Sequence, residues 1–112
     1  MNAAFVLFDD AKTLFKSADE IPEYVNFRGN RLGKIYFERS ISYDIYQIIP
    51  SFAKDVLIIQ GDKDNIVPLR YAQRAKEAYP KAELHTVAGG GHLFTASQNR
   101  TLLPIIGNYL KK

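Results

Sequence analysis

The chain carries two different patterns of apolar and polar positions. From residue 55 onward the pattern is regular. The stretch DVLIIQ (55–60) holds a continuous apolar run closed by Gly61, which is how a strand buried on both faces of a parallel sheet reads. Pro68 fits the first turn of a following helix, where its missing N–H costs nothing. LRYAQRAKEAY (69–79) then sets Leu69, Ala72, Ala75 or Lys76, and Tyr79 at helical spacing, with cations and Glu77 on the other face. Pro80 ends that helix. AELHTVAG (82–89) alternates as a strand does, and Gly89 to Gly91 mark a tight turn. TLLPIIGNYL (101–110) closes the chain as an amphipathic helix in which Pro104 is tolerated only near the start or at a kink. The predicted order is β-α-β-α, which implies parallel strands joined by a right-handed crossover.

Residues 1–54 are less regular. EYVNFRGNRLGKIYF places a Gly-Asn pair between β-prone residues and predicts a hairpin. LGKIYFERSISYDIYQII reads equally as helix, with Ile35, Tyr36, Ile41, Ile45 and Ile48 forming a broad apolar stripe. Phe15, Tyr24, Phe27, Tyr36, Phe37, Tyr43 and Tyr46 also fall here, as core packing or as the lining of an apolar pocket. Asp9 and Asp10 are expected in a solvated turn or at a helix start.

Composition narrows the field. The 112 residues make one modest domain or part of a larger one. An apolar share of 46% and a charged share of 24% are those of a soluble globular chain. The net charge of +3 comes from scattered Lys and Arg rather than a stripe, so no nucleic-acid partner is expected. The chain has no cysteine, which excludes disulfides, thiolate metal sites and a Cys nucleophile and fits a reducing compartment. Asp9 and Asp10 cut short the first apolar run, no cationic segment precedes it, and no stretch is long enough for a membrane helix. A cytoplasmic protein without a membrane partner is the expectation.

Two loops carry candidate chemistry. GDKDNIVP (61–68) follows the first strand of the regular half, and GGGH (89–92) follows the second. In open α/β sheets, reactive side chains sit in loops leaving the carboxyl ends of strands. Asp64 and His92 are 28 residues apart, which a short loop, a helix, a turn and a strand account for. Parallel neighbours lie about 4.8 Å apart, so loops at one end of the sheet can bring the two side chains together. A carboxylate accepting from an imidazole sets its tautomer and stabilises the imidazolium that forms when it takes a proton from a hydroxyl. Asp62 is the rival carboxylate. His85 lies mid-strand and reads as structural, and the histidines and carboxylates match no metal spacing. The three glycines lack the Lys and Ser or Thr of a phosphate loop. Neither a metal nor a cofactor is expected.

VLIIQGDKDNIVP, a helix, and AELHTVAGGGHLF together resemble the C-terminal part of the α/β-hydrolase fold. The resemblance implies a βαβα portion of that fold, with Asp64 in the acid position, His92 in the base position and Asp62 in a turn-forming one. IPEYVNFRGNRLGKIYFERSISYDIY (21–46) is similar to the short insertion of the cinnamoyl or feruloyl esterase-like branch, where it contributes to the substrate pocket. This divides the chain into a cap-like segment (1–54) and the βαβα unit (55–112), and it implies a carboxylic ester substrate.

The nucleophile of that family sits in a G-x-S-x-G elbow ahead of the acid and the histidine. None of Ser17, Ser40, Ser42, Ser51 and Ser97 has glycines at both required positions, and Ser97 follows the histidine. The expectation is an acid–base pair that is inactive alone, since removing even one oxyanion donor costs about 3–4 kcal/mol. A non-catalytic remnant or oligomerisation module is the alternative. The edge of strand 55–60 is expected to pair with an N-terminal half or with a second copy of the chain.

Overall fold

The computed structural model describes the backbone of residues 4–112 and the side chains from Asp9 onward. Helix α1 (Ala4–Leu14) leads through a 3₁₀ turn to a hairpin of β1 (Tyr24–Phe27) and β2 (Asn30–Gly33). Helices α2 (Lys34–Ser42) and α3 (Ile45–Ile48) and a second 3₁₀ turn (Ile49–Ser51) follow. The regular half then runs β3 (Val56–Gly61), α4 (Leu69–Ala78), β4 (Ala82–Val87) and α5 (Ala96–Leu110). The fold is α/β, with β3 and β4 parallel in a register from Val56↔Ala82 to Gly61↔Val87.

Strand alternation builds the core under the site. Ile58, packed with Val56, Ala82 and Leu84, meets Ala72 and Ala75 of α4 and Ile49 of the preceding turn. Alanines on the inner face of α4 leave room for the large strand residues, and Ala75 rather than Lys76 takes the buried position. A second cluster gathers Ala11, Ile21 and Phe37 with Phe15, Val25, Phe27, Leu32 and Ile41. There Phe37 is met edge-to-face by Phe15 and Phe27, each at 5.6 Å, and by Tyr36 at 5.1 Å, a geometry that suits the ring quadrupoles. Packing thus accounts for Phe15, Phe27 and Phe37, whereas Tyr24 and Tyr43 are exposed.

Several local expectations are corrected. Pro68 is the N-cap of α4, not a residue of its first turn; its ψ of 149° holds extended backbone just ahead of Leu69. Helix α5 starts five residues early because Thr95 and Gln98 form a capping box, two reciprocal bonds that satisfy orphan N–H groups. Pro104 therefore lies in its interior. The hairpin turns on Arg28-Gly29, with φ of 49° and 78°, rather than on Gly29-Asn30; both central residues must be left-handed to match the strand twist. The helical reading of the following stretch holds, but α2 breaks at Tyr43 and Asp44 caps α3 by accepting from the Tyr46 N–H. The stripe shifts accordingly: Phe37 and Ile49 are buried, while Ile35 and Ile48 are exposed. Asp9 and Asp10 lie in the second half of α1, where Asp9 accepts from the Tyr71 hydroxyl at 2.9 Å and Asp10 pairs with Arg28.

The molecule is open in shape. Its radius of gyration is 16.4 Å, against about 13 Å for a compact domain of this length. Its accessible surface is 7478 Å², against roughly 6200 Å² for a folded monomer of this mass. Among the described residues, β3 and β4 each have one strand neighbour, and no helix is long and apolar enough to cross a membrane.

Candidate functional site

Because Gly61 and Val87 are level in the register, both loops leave the sheet at the same end. Backbone bonds lace them together. Asp62 N–H donates to the Val87 carbonyl (3.2 Å) and Lys63 N–H to the Gly90 carbonyl (2.9 Å). The approach is close enough to demand glycine: a Cβ on Gly61 would stand 2.1 Å from the Gly90 oxygen. Gly89, with φ of 70°, supplies the left-handed residue of the turn. Asp62 accepts from the Gly89 N–H at 2.8 Å. This rival carboxylate ties the loops together and makes no bond to the imidazole.

Asp64 and His92 meet across this lacing. His92 Nδ1 lies 3.0 Å from Asp64 Oδ2, with the Asp64 side chain 1% exposed and the His92 side chain 30%. Asp64 Oδ1 accepts from the Ile66 and Val67 N–H groups, each at 2.9 Å. Gln60 Nε2 donates to Oδ2 at 3.2 Å. Burial pushes the Asp64 carboxyl up, but the bonds from Val67, His92, Ile66 and Gln60 outweigh it and hold the group below the ordinary aspartate value. The carboxylate is therefore ionised at neutral pH. An imidazole with Nδ1–H on that carboxylate keeps Nε2 as the basic nitrogen.

Gln60 is the residue that sequence reasoning missed. It is fully buried at the end of β3. The available signal was a polar residue closing an apolar strand immediately before Gly61.

The remaining candidates are not drawn into this cluster. Ser40, Ser42 and Ser51 donate to the carbonyls of Tyr36, Arg39 and Ile48 within their own turns. Among the described residues no serine hydroxyl bonds to His92. His85 is half-buried and borders a cleft of about 240 Å³ with Val87, Ser97 and Thr101. No three His, Asp or Glu side chains among the described residues group to hold a metal ion.

Residues 42–112 match the α/β-hydrolase family described as TAP-like protein. The fold is similar to that of Est1E from Butyrivibrio proteoclasticus, with a TM-score of 0.79 and 20% sequence identity, covering 95% of this chain and 46% of that one. The structure of ferulic acid bound to Est1E gives a TM-score of 0.78, again at 20% identity, covering 95% and 45%. None of the curated proteins matches the chain. The chain thus spans under half the length of the solved structures it resembles. A family match over well more than half of these residues, on a parallel βαβα unit of the same fold, means that the chain belongs to the TAP-like α/β-hydrolases.

Proposed function

We propose that Asp64 and His92 are the acid and base of a serine-type triad for carboxylic ester hydrolysis, with the nucleophile supplied by polypeptide outside these 112 residues. The observation that carries this reading is the 3.0 Å contact between His92 Nδ1 and an otherwise buried, fully hydrogen-bonded carboxylate. His92 Nε2 takes the hydroxyl proton as the serine attacks the ester carbonyl, and later returns it to the leaving alcohol. Asp64 keeps the imidazole in the required tautomer and stabilises its charged form. An ester of an aromatic acid is a natural first substrate, given the ferulic acid bound by Est1E.

The test is complementation. The 112-residue chain is mixed with an N-terminal half of an α/β-hydrolase bearing the G-x-S-x-G elbow, and release of p-nitrophenol from its esters is followed. Hydrolysis well above either part alone, abolished by His92→Ala, is expected. Equal activity of the His92→Ala mixture would overturn the assignment.

A second reading, an assembly module, is favoured by the open shape. The surface exceeds that of a compact monomer by roughly 1200 Å², enough for a standard interface. We propose the β3 edge as the docking side, for the same N-terminal half or for a second copy. Sedimentation of the chain alone separates the two: a dimer at micromolar concentration supports self-association, and a monomer rules it out.

A further inference from the structure

Gln60 is a fully buried amide that is satisfied at one end only. Its side chain is inaccessible, yet its Oε1 has no hydrogen-bond partner. A buried carbonyl oxygen left without a donor is costly, and such groups call for an explanation. An apolar side chain of the same length would avoid that cost but would leave the Val67 carbonyl without the Gln60 donor.

The amide nitrogen supplies the explanation. Nε2 faces three acceptors: the Val67 carbonyl at 2.7 Å, the Gly61 carbonyl at 3.2 Å and Asp64 Oδ2 at 3.2 Å. Only the donor end of the amide suits them, so the orientation is determined by its surroundings; the flipped amide would set oxygen against three oxygens. With two hydrogens for three acceptors, one N–H is shared. Two of these acceptors, Gly61 and Val67, are the two ends of the loop that carries Asp64. The third is the carboxylate oxygen that His92 uses.

From this arrangement we infer that Gln60 is the positioning residue of the acid loop: it clasps both ends of the loop and aims Asp64 Oδ2 at His92 Nδ1. Deepening the proposed triad, this rests on the reading of Asp64 and His92 as its acid and base. The clasp explains why a polar group ends an otherwise apolar strand. It also accounts for an orphan oxygen, which points away from the three acceptors and is the by-product of presenting the nitrogen.

The test follows the Asp64 titration and the solvent exchange of the His92 Nδ1 proton by NMR in the 112-residue chain, with Gln60→Met and Gln60→Glu. Methionine preserves length and volume and removes both N–H groups. In Gln60→Met the Asp64 midpoint is expected to rise, and the His92 Nδ1 proton to exchange faster with solvent. Unchanged values in a folded variant overturn the inference. Gln60→Glu covers the case in which the methionine variant fails to fold. A glutamate buried beside Asp64 ionises late and, once ionised, sets an acceptor where Gln60 presented a donor, so above its midpoint the His92 Nδ1 proton is expected to exchange faster with solvent than in the unsubstituted chain. An Nδ1 proton exchange rate equal to that of the unsubstituted chain also overturns the inference. In the complemented enzyme, Gln60→Met is expected to lower kcat by about tenfold or more with KM unchanged, the signature of misaligned groups. Lack of hydrolysis by the unsubstituted mixture would count against the triad alone, because the NMR measurements decide the clasp without activity.

Discussion

The βαβα unit and the segment ahead of it use different means to hold their parts together. In the βαβα unit, small residues let elements close up: Ala72 and Ala75 seat α4 on the sheet, and Gly61 and Gly90 let two loops touch backbone to backbone. In the earlier segment one large residue does the joining, as Phe37 gathers Phe15, Phe27 and Tyr36 around its ring. The family match begins at residue 42, whereas the likeness in fold to Est1E covers 95% of the chain. Close backbone approach tolerates few residue types. An aromatic cluster can be rebuilt with other side chains of similar volume.

The largest effect should come from the site. In the complemented enzyme, Asp64→Asn is expected to lower turnover about 10⁴-fold, by analogy with other triads, whereas Asp62→Asn should cost far less because it bonds only the Gly89 N–H. Steady-state ester hydrolysis compares them, and a loss under tenfold for Asp64→Asn would break the assignment.

Next comes the aromatic hub. Phe37→Ala is expected to cost about 3–5 kcal/mol, read from urea unfolding, with the loss greatest in α1, α2 and the hairpin by hydrogen exchange. A uniform loss of protection through β3 and β4 would erase the contrast between the regions. Gly61→Ala is expected to cost about 2–3 kcal/mol and to separate Asp64 from His92, seen as a changed His92 NMR titration. Gly33, where an added Cβ meets nothing within 4 Å, is the control: Gly33→Ala should leave that titration unchanged.

The smallest effect is that of acid. The folded-state pKa of Asp64 is depressed, so its contribution to stability is fully present above the unfolded value of about 3.9. It is lost as pH falls from there through the lower folded value. Unfolding midpoints between pH 5 and 2 should therefore fall more steeply in the unsubstituted chain than in Asp64→Asn. Parallel slopes would mean that other carboxylates govern the acid response.

The two halves also differ in how far they could be read. Strands β3 and β4 and helix α4 were legible to within one or two residues at most ends, because their apolar spacing matches burial and their ends carry Gly or Pro. Asp64 and His92 were legible as loop residues following two parallel strands. The hairpin was legible but displaced by one residue, since Arg28 in a left-handed conformation has no local signature. The apolar stripe of helix α5 begins only after Thr101, because Ala96 to Arg100 carry none, and its true start is signalled by the Thr95–Gln98 capping pair instead.

What the sequence determined by itself was periodicity and punctuation: which stretches alternate as strand, which repeat as helix, and where the chain turns. Those are properties of near neighbours along the chain. Tertiary structure alone decided the pairings made across distance. The register that sets Gly61 beside Val87 brings the loops level. The fold brings Asp9 to Tyr71, 62 residues away, and turns the Gln60 amide onto Asp64 and both ends of its loop. A polar side chain finds its partner only after the backbone has placed it, and one pattern of neighbours is compatible with many such placements.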